Sequence, residues 1–283
     1  MKTLRNPIFQ LLLAFLAVLQ MGSAQERLIF KQADTVSLHM DVFRPARMEA
    51  GKRLPALVFF FGGGWNKNNF DQFIPHARYF ARRGLVCFVV AYRVKNSHNT
   101  TPFQALEDAK SAMRYVRSHA SEFGVDPNRI AAAGGSAGGH LAAACALVSG
   151  YDAPADDTSV NPRPDALILY NPVIDNGPGG YGYDRIGPAY PEFSPLHRIA
   201  EGAPPTVFFL GTEDHLVPVA TARYYQTVME AVGSRCDLHL YKGQGHGFFN
   251  HRNFKYYKKT LAATDAFLQS LGYLGSEPAV PVE

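Results

Sequence analysis

Residues Gly134-Gly135-Ser136-Ala137-Gly138 fit the pattern G-x-S-x-G. A serine hydroxyl that attacks an acyl carbon must stand clear of its neighbours on a tight turn, and flanking glycines allow that turn without a clash at Cβ. The context sharpens the motif. The strand-like run Arg129 to Ala133 leads in, and the apolar, helical residues 140–149 lead out. The amino end of such a helix favours the negative charge that develops in acyl transfer. Taken alone, the motif also fits a structural glycine-rich turn.

Serine is a poor nucleophile without a base. Gly243-Gln244-Gly245-His246-Gly247-Phe248 places His246 between glycines after a strand-like run, and Gly211-Thr212-Glu213-Asp214 places acids at the end of another. The expected roles are attack by Ser136, proton transfer by His246, and orientation of the imidazole by Asp214. Glu213 is the rival acid; Asp214 is preferred because it lies deeper in the turn before Val217-Pro218. His215 reads as a pocket or surface residue. Acyl transfer also needs donors for an oxyanion. Gly62-Gly63-Gly64 follow an apolar run directly. The N–H groups of Gly63, Gly64 and Ala137 are assigned to that task, with a simple tight turn as the plainer reading.

These residues need strand ends to hold them. Residues 27–32 and 36–43 alternate apolar and polar side chains and suggest an entry hairpin. Buried strands are expected at 57–61, 85–92, 129–133, 166–170, 205–210 and 237–241, and helices at 71–83, 102–123, 140–149, 218–233 and 252–271. Thr101 is placed to cap the helix that Pro102 opens. Alternating strands and helices argue for a mostly parallel sheet covered on both faces. Residues 171–200, rich in Gly, Pro, Tyr and Asn, are too long for a plain connection and read as a functional loop or small cap. Residues 275–283 read as a frayed tail. With no internal repeat or low-complexity linker, residues 25–283 are expected to form one domain.

The chain has 283 residues, a formal charge of +4 and 47% apolar residues, which excludes a disordered or fibrous chain. No run of Lys and Arg stands out, so a nucleic-acid partner is not expected. Met1 to Ala24 reads as an export signal. Lys2 and Arg5 precede the apolar run Leu11 to Leu19, which is too short for a stable membrane anchor, and Gly22-Ser23-Ala24 precede a cut before Gln25. Removing these residues leaves a charge of +2. The expected location is secreted or periplasmic. The three cysteines, Cys87, Cys145 and Cys236, read as buried free thiols, and no Cys/His cluster has zinc-site spacing.

The segments FFFGGGW (59–65), VDPNRIAAAGGSAGGHLA (125–142), FSPL (193–196), GTEDHLVP (211–218) and GQGHGF (243–248) together resemble the hormone-sensitive-lipase-like branch of the α/β-hydrolases. They are most similar to exported bacterial acetyl esterases, including acetylxylan and feruloyl esterases. The order Ser136, Asp214, His246 is that of the α/β-hydrolase triad. The resemblance implies an α/β-hydrolase fold: a mostly parallel eight-stranded sheet with helices on both faces and a small irregular cap insertion. It implies a serine esterase that hydrolyses short-chain acyl esters, acetyl foremost, on carbohydrate through an acyl-enzyme, with no metal or cofactor. Partners are then a small-molecule or oligosaccharide ester. A feruloyl or polyester carboxylesterase with the same triad is an alternative, and a non-catalytic carbohydrate-binding module is another.

One departure stands out: Phe61 occupies the position where this branch usually carries a His that braces the oxyanion loop. Asp108 and His140 read as structural. Trp65 fits a pocket wall or the core. Tyr181, Tyr183 and Tyr190 fit substrate stacking or loop pinning, and Trp65, Tyr181 and Tyr183 are the substrate-pocket candidates.

Overall fold

Runs of apolar residues too short for helices, and apolar on both faces, build the centre of a sheet. The computed structural model describes residues 25–49, 51–276 and 280–282. The expected export signal, residues 1–24, therefore lies outside the described residues. The strands are β1 (Gln25–Ala33), β2 (Val36–Phe43), β3 (Leu54–Phe60), β4 (Val86–Val90), β5 (Val125–Gly135), β6 (Ala166–Tyr170), β7 (Thr206–Gly211) and β8 (Cys236–Tyr241). They form one eight-stranded sheet in the order β1-β2-β4-β3-β5-β6-β7-β8. β1 and β2 pair as an antiparallel hairpin, and β2 runs antiparallel to β4. All other pairs are parallel. The expected mostly parallel sheet is therefore present.

The longer helices are α1 (Ile74–Arg82), α2 (Pro102–Ser118), α3 (Ala137–Leu147), α4 (Val219–Ala231) and α5 (Phe254–Ser270). Thr101 caps α2, with its N–H donating to Gln104 Oε1 at 2.8 Å. The helix expected over 102–123 ends early, at Ser118. His119 turns back on the helix, with Nδ1 2.9 Å from the Tyr115 carbonyl oxygen and its ring stacked on that of Tyr115. Its backbone N–H also donates to that carbonyl, as the last bond of the helix, and φ −98° with ψ 16° takes His119 itself out of helical geometry. A separate single turn, Ala120–Phe123, comes next. Residues 171–200 fold as short helical turns around Ser194, whose Oγ donates to the Ile174 carbonyl and accepts the Asn176 N–H. Cys87, Cys145 and Cys236 are free and buried. Among the described residues no helix is long and apolar enough to cross a membrane.

The sheet's register brings three strand ends level with one another. Phe60 at the end of β3 pairs with Gly134 of β5, and Gly135 pairs with Tyr170 at the end of β6. The loops after β3, β5, β6, β7 and β8 all leave the same carboxyl edge. In parallel α/β sheets that edge is where ligands bind.

Candidate active site

Ser136 occupies the turn between β5 and α3 with φ 54° and ψ −121°, a conformation that costs about 1–3 kcal/mol for a non-glycine residue. Neighbouring hydrogen bonds hold it there. Its N–H donates to the Tyr170 carbonyl at 3.0 Å, and its carbonyl accepts the His140 and Val173 N–H groups at 3.0 and 3.1 Å. Gly138 lets α3 start hard against the sheet, since a Cβ there would stand 2.0 Å from the Phe60 carbonyl oxygen.

The loops after β7 and β8 bring two partners to this serine. His246 Nε2 lies 2.8 Å from Ser136 Oγ, and Nδ1 lies 2.8 Å from Asp214 Oδ2. One tautomer satisfies both contacts: Nδ1–H donates to the carboxylate, and Nε2 accepts the serine O–H. The Asp214 side chain is fully buried and its Oδ1 accepts the Leu216 and Val217 N–H groups. Those bonds fix the carboxylate. Glu213, the rival acid, is exposed and uses only its backbone N–H, toward the Gln244 carbonyl. Asn171, which no sequence motif singles out, joins the group from the end of β6. Its Oδ1 accepts the Gly247 N–H at 3.0 Å and its Nδ2 approaches His246 Nε2 at 3.3 Å. A buried strand ending on an Asn was the available signal.

The glycine loop after β3 is held by groups other than the histidine that Phe61 replaces. Tyr92 OH donates to the Phe61 carbonyl at 2.7 Å, and the two rings stack at 4.1 Å. The Gly62 N–H donates to Gln72 Oε1 at 2.6 Å. The Gly63 carbonyl accepts two N–H groups, from Asn66 and Lys67, while φ at Gly63 is +145°. Among the described residues, the N–H groups of Gly63, Gly64 and Ala137 donate to nothing in the chain. Unused donors on the residue after Ser136 and on the glycine loop, whose Gly62 packs against the Ser136 side chain, can hold an oxygen that gains negative charge.

The pocket candidates separate. Tyr181 lines a cleft of about 220 Å³ with Val173, Asp175, Leu216, Val217 and Thr221. Trp65 does not line it. It is buried, its ring edge-on to His140 and covered by the Arg185 guanidinium, which also lies over Tyr181 and donates to the Gly64 carbonyl. An apolar ring that size, next to a guanidinium that caps it, is excluded from solvent. Tyr183 does not line the cleft either; it packs edge-on against Tyr190 at the surface. His140 is buried and donates Nε2–H to the Phe193 carbonyl, and loss of solvent lowers its pKa to about 3. It is therefore neutral. A larger hollow, lined by Arg117, Asn128, Arg163 and Asp165, lies at the amino edge of the sheet, away from Ser136.

A family model described as BD-FAE matches residues 40–176, and one described as Dienelactone hydrolase family matches residues 178–277. An acetylxylan esterase of Xylanibacter ruminicola is 28% identical over 98% of this chain and 56% of its own length. The chain thus spans about half of that relative. Carboxylesterase NlhH of Mycobacterium tuberculosis is 31% identical over 70% of this chain and 67% of its own length. Among solved structures, esterase 2 of Thermogutta terrifontis phosphoramylated by tabun superposes with a TM-score of 0.86 at 41% identity, covering 89% of this chain and 97% of that one. The butyrate-bound form of the same esterase gives 0.85 at 39% identity, covering 92% and 98%.

Proposed function

Since the chain belongs to the carboxylic ester hydrolases of the α/β-hydrolase fold, we propose that it is an exported serine esterase that releases short acyl groups, acetyl foremost, from carbohydrate esters. The observation that carries this reading is the position of His246, 2.8 Å from both Ser136 Oγ and Asp214 Oδ2. His246 Nε2 takes the hydroxyl proton as Ser136 Oγ bonds to the acyl carbon. The carbonyl oxygen becomes an oxyanion, which the Gly63, Gly64 and Ala137 N–H groups receive. The imidazolium, charge-balanced by Asp214, then protonates the leaving alcohol oxygen, and the acyl group stays on Ser136. A water deprotonated by His246 attacks the acyl-enzyme, and the carboxylic acid leaves with Ser136 restored.

The acyl and alcohol preferences rest on supports of different kinds. The cleft of about 220 Å³ adjoins the triad through Val173 and Val217, whose N–H groups hold the Ser136 carbonyl and Asp214, and a cleft this small suits a short acyl group better than a fatty chain. Tyr181 in its wall suits a sugar ring. The acetylxylan esterase relative and the butyrate-bound neighbour point the same way. Export rests on the basic, apolar and small-residue sequence of residues 1–24.

Hydrolysis of p-nitrophenyl acetate, butyrate and octanoate by residues 25–283 tests the reading, with Ser136→Ala alongside. The expected result is turnover of acetate and butyrate above octanoate, falling about 10⁴-fold or more in the variant. Equal activity in Ser136→Ala would overturn the mechanism. No activity on any ester would favour the binding-module alternative.

A further inference from the structure

The net charge of +4 hides an uneven distribution. Between Asp237 and Asp265 the chain contains no carboxylate and five Lys or Arg residues: Lys242, Arg252, Lys255, Lys258 and Lys259. That segment therefore carries +5, and the remainder of the chain a net −1. All five side chains are exposed, and among the described residues none makes an ion pair. Elsewhere the cations that anchor the fold are paired, as with Arg27 to Asp41, Arg83 to Asp265 and Arg235 to Asp237.

Folding does not account for this arrangement. Arg252 and Lys255 stand at the amino end of α5, where the helix dipole disfavours cations, and its first turn holds no acid. Lys255 and Lys259 are like charges at i and i+4, which costs a helix about 0.2–0.5 kcal/mol. The ammonium groups are nevertheless held in place. Lys258 lies 5.1 Å from the Phe254 ring centroid, and Lys255 and Lys259 lie 5.6 and 5.3 Å from that of Tyr256. Rings that hold the cations lower the entropy lost when a polyanion binds them.

The array approaches the reacting centre through Tyr256, the ring under Lys255 and Lys259, which packs edge-on against Phe248, two residues past His246. His246 lies between Lys242 and Arg252 in sequence, on the loop that runs into α5. Arg252 lines a surface cleft of about 330 Å³ with Asn69, Gln72, Asn250 and one carboxylate, Asp71. Gln72 in that cleft holds the Gly62 N–H, so the cleft runs up to the glycine loop. A polymer with an ester at Ser136 can therefore cross the cleft onto the cations of α5.

We propose that these five cations form a docking surface for an anionic polysaccharide, a uronate polymer, whose ester groups are the substrate. The inference rests on the esterase reading for the placement of the ester. Other polyanionic partners fit less well. An anionic membrane needs several exposed apolar side chains to insert, and Phe254 is the one large exposed apolar residue of α5. Single-stranded nucleic acid needs open ring faces for stacking, and here ammonium groups cover them.

The test uses Ser136→Ala in residues 25–283 and follows its retardation in gels containing polygalacturonate or neutral xylan. Retardation is expected in polygalacturonate alone at about 50 mM salt, weakening about tenfold at about 500 mM as the charges are screened. Adding Lys255→Gln, Lys258→Gln and Lys259→Gln should weaken it by about tenfold. The same triple change with Ser136 intact should leave p-nitrophenyl acetate turnover unaltered, while raising KM on acetylated pectin and not on acetylated xylan. Equal retardation with and without the lysines would overturn the proposal. Binding to phosphatidylglycerol vesicles or DNA in preference to polygalacturonate would overturn it as well. Loss of p-nitrophenyl acetate hydrolysis with polygalacturonate binding intact would remove the esterase reading and leave the surface standing.

Discussion

Gln72 joins two loops that approach Ser136 from opposite sides. Its Oε1 accepts the Gly62 N–H at 2.6 Å and its Nε2 donates to Asn250 Oδ1 at 2.8 Å, while Asn250 Nδ2 donates to the Gly247 carbonyl next to His246. Gln72→Ala leaves the Gly62 N–H without its partner, which costs about 1–3 kcal/mol for a buried donor and frees the glycine loop. In the proposed mechanism the Gly63 and Gly64 donors act on charge that exists only in the transition state. The variant should therefore lose about tenfold or more in kcat while KM stays within about twofold. Asn250→Ala should do the same, and the double variant should lose less than the product of the two, because both changes break one chain of bonds. Steady-state kinetics on p-nitrophenyl acetate would contradict this if KM rose and kcat held. Ser136, Asp214 and His246 were legible because each falls in a short glycine-punctuated stretch at the end of an apolar run. Gln72 and Asn250 lie 178 residues apart, and no local pattern links them. For Trp65 the sequence left the pocket wall and the core both open, because its burial depends on Arg185 folding over it from the segment after β6.

Between elements, Asp108 on α2 ties the end of β4 to the hairpin. Arg93 just past β4 donates three hydrogen bonds to this carboxylate, from N, Nε and Nη2, and Lys31 of β1 donates a fourth. Asp108 is fully buried, and Arg93 and Lys31 are nearly so. Tyr92, which holds the Phe61 carbonyl, is the residue just before Arg93. Asp108→Asn leaves Lys31 without its counter-charge and Arg93 with Glu107 alone, 3.5 Å away, and breaking a buried pair in this way costs about 3–5 kcal/mol. Urea unfolding should show that loss; a midpoint shift worth less than about 1 kcal/mol would mean that the cations find other partners. The strands were readable at this scale because central parallel strands are apolar on both faces, and β6 matches its expected bounds, 166–170, at both ends. The end of α2 was not, because the chain leaves helical geometry at His119, stacked on Tyr115, with neither glycine nor proline to mark the stop.

Two buried imidazoles, on α1 and α3, contribute to how the whole molecule responds to acid. His76 on α1 and His140 on α3 are fully buried, and in each case loss of solvent lowers the pKa to about 3. The unfolded chain takes up protons on both with the ordinary imidazole value of about 6.5. The native state therefore binds fewer protons than the unfolded state between these limits. The stability they contribute is complete above pH 6.5 and is lost as pH falls toward 3, by about 2 kcal/mol for each histidine between pH 7 and pH 5. His76 separates this effect from the carboxylates. Among the described residues neither of its ring nitrogens has a hydrogen-bond partner, and its ring packs among Phe59, Phe73, Tyr170, Phe249 and Tyr257. Phenylalanine supplies a ring with no buried polar atoms in the same aromatic surroundings. His76→Phe should match or exceed the native chain in urea unfolding at pH 7 and lose about 2 kcal/mol less than it does on going to pH 5. The same loss in both proteins would place the acid sensitivity in groups other than His76, and a variant much less stable at pH 7 would show that the nitrogens at His76 find partners that the aromatic packing conceals.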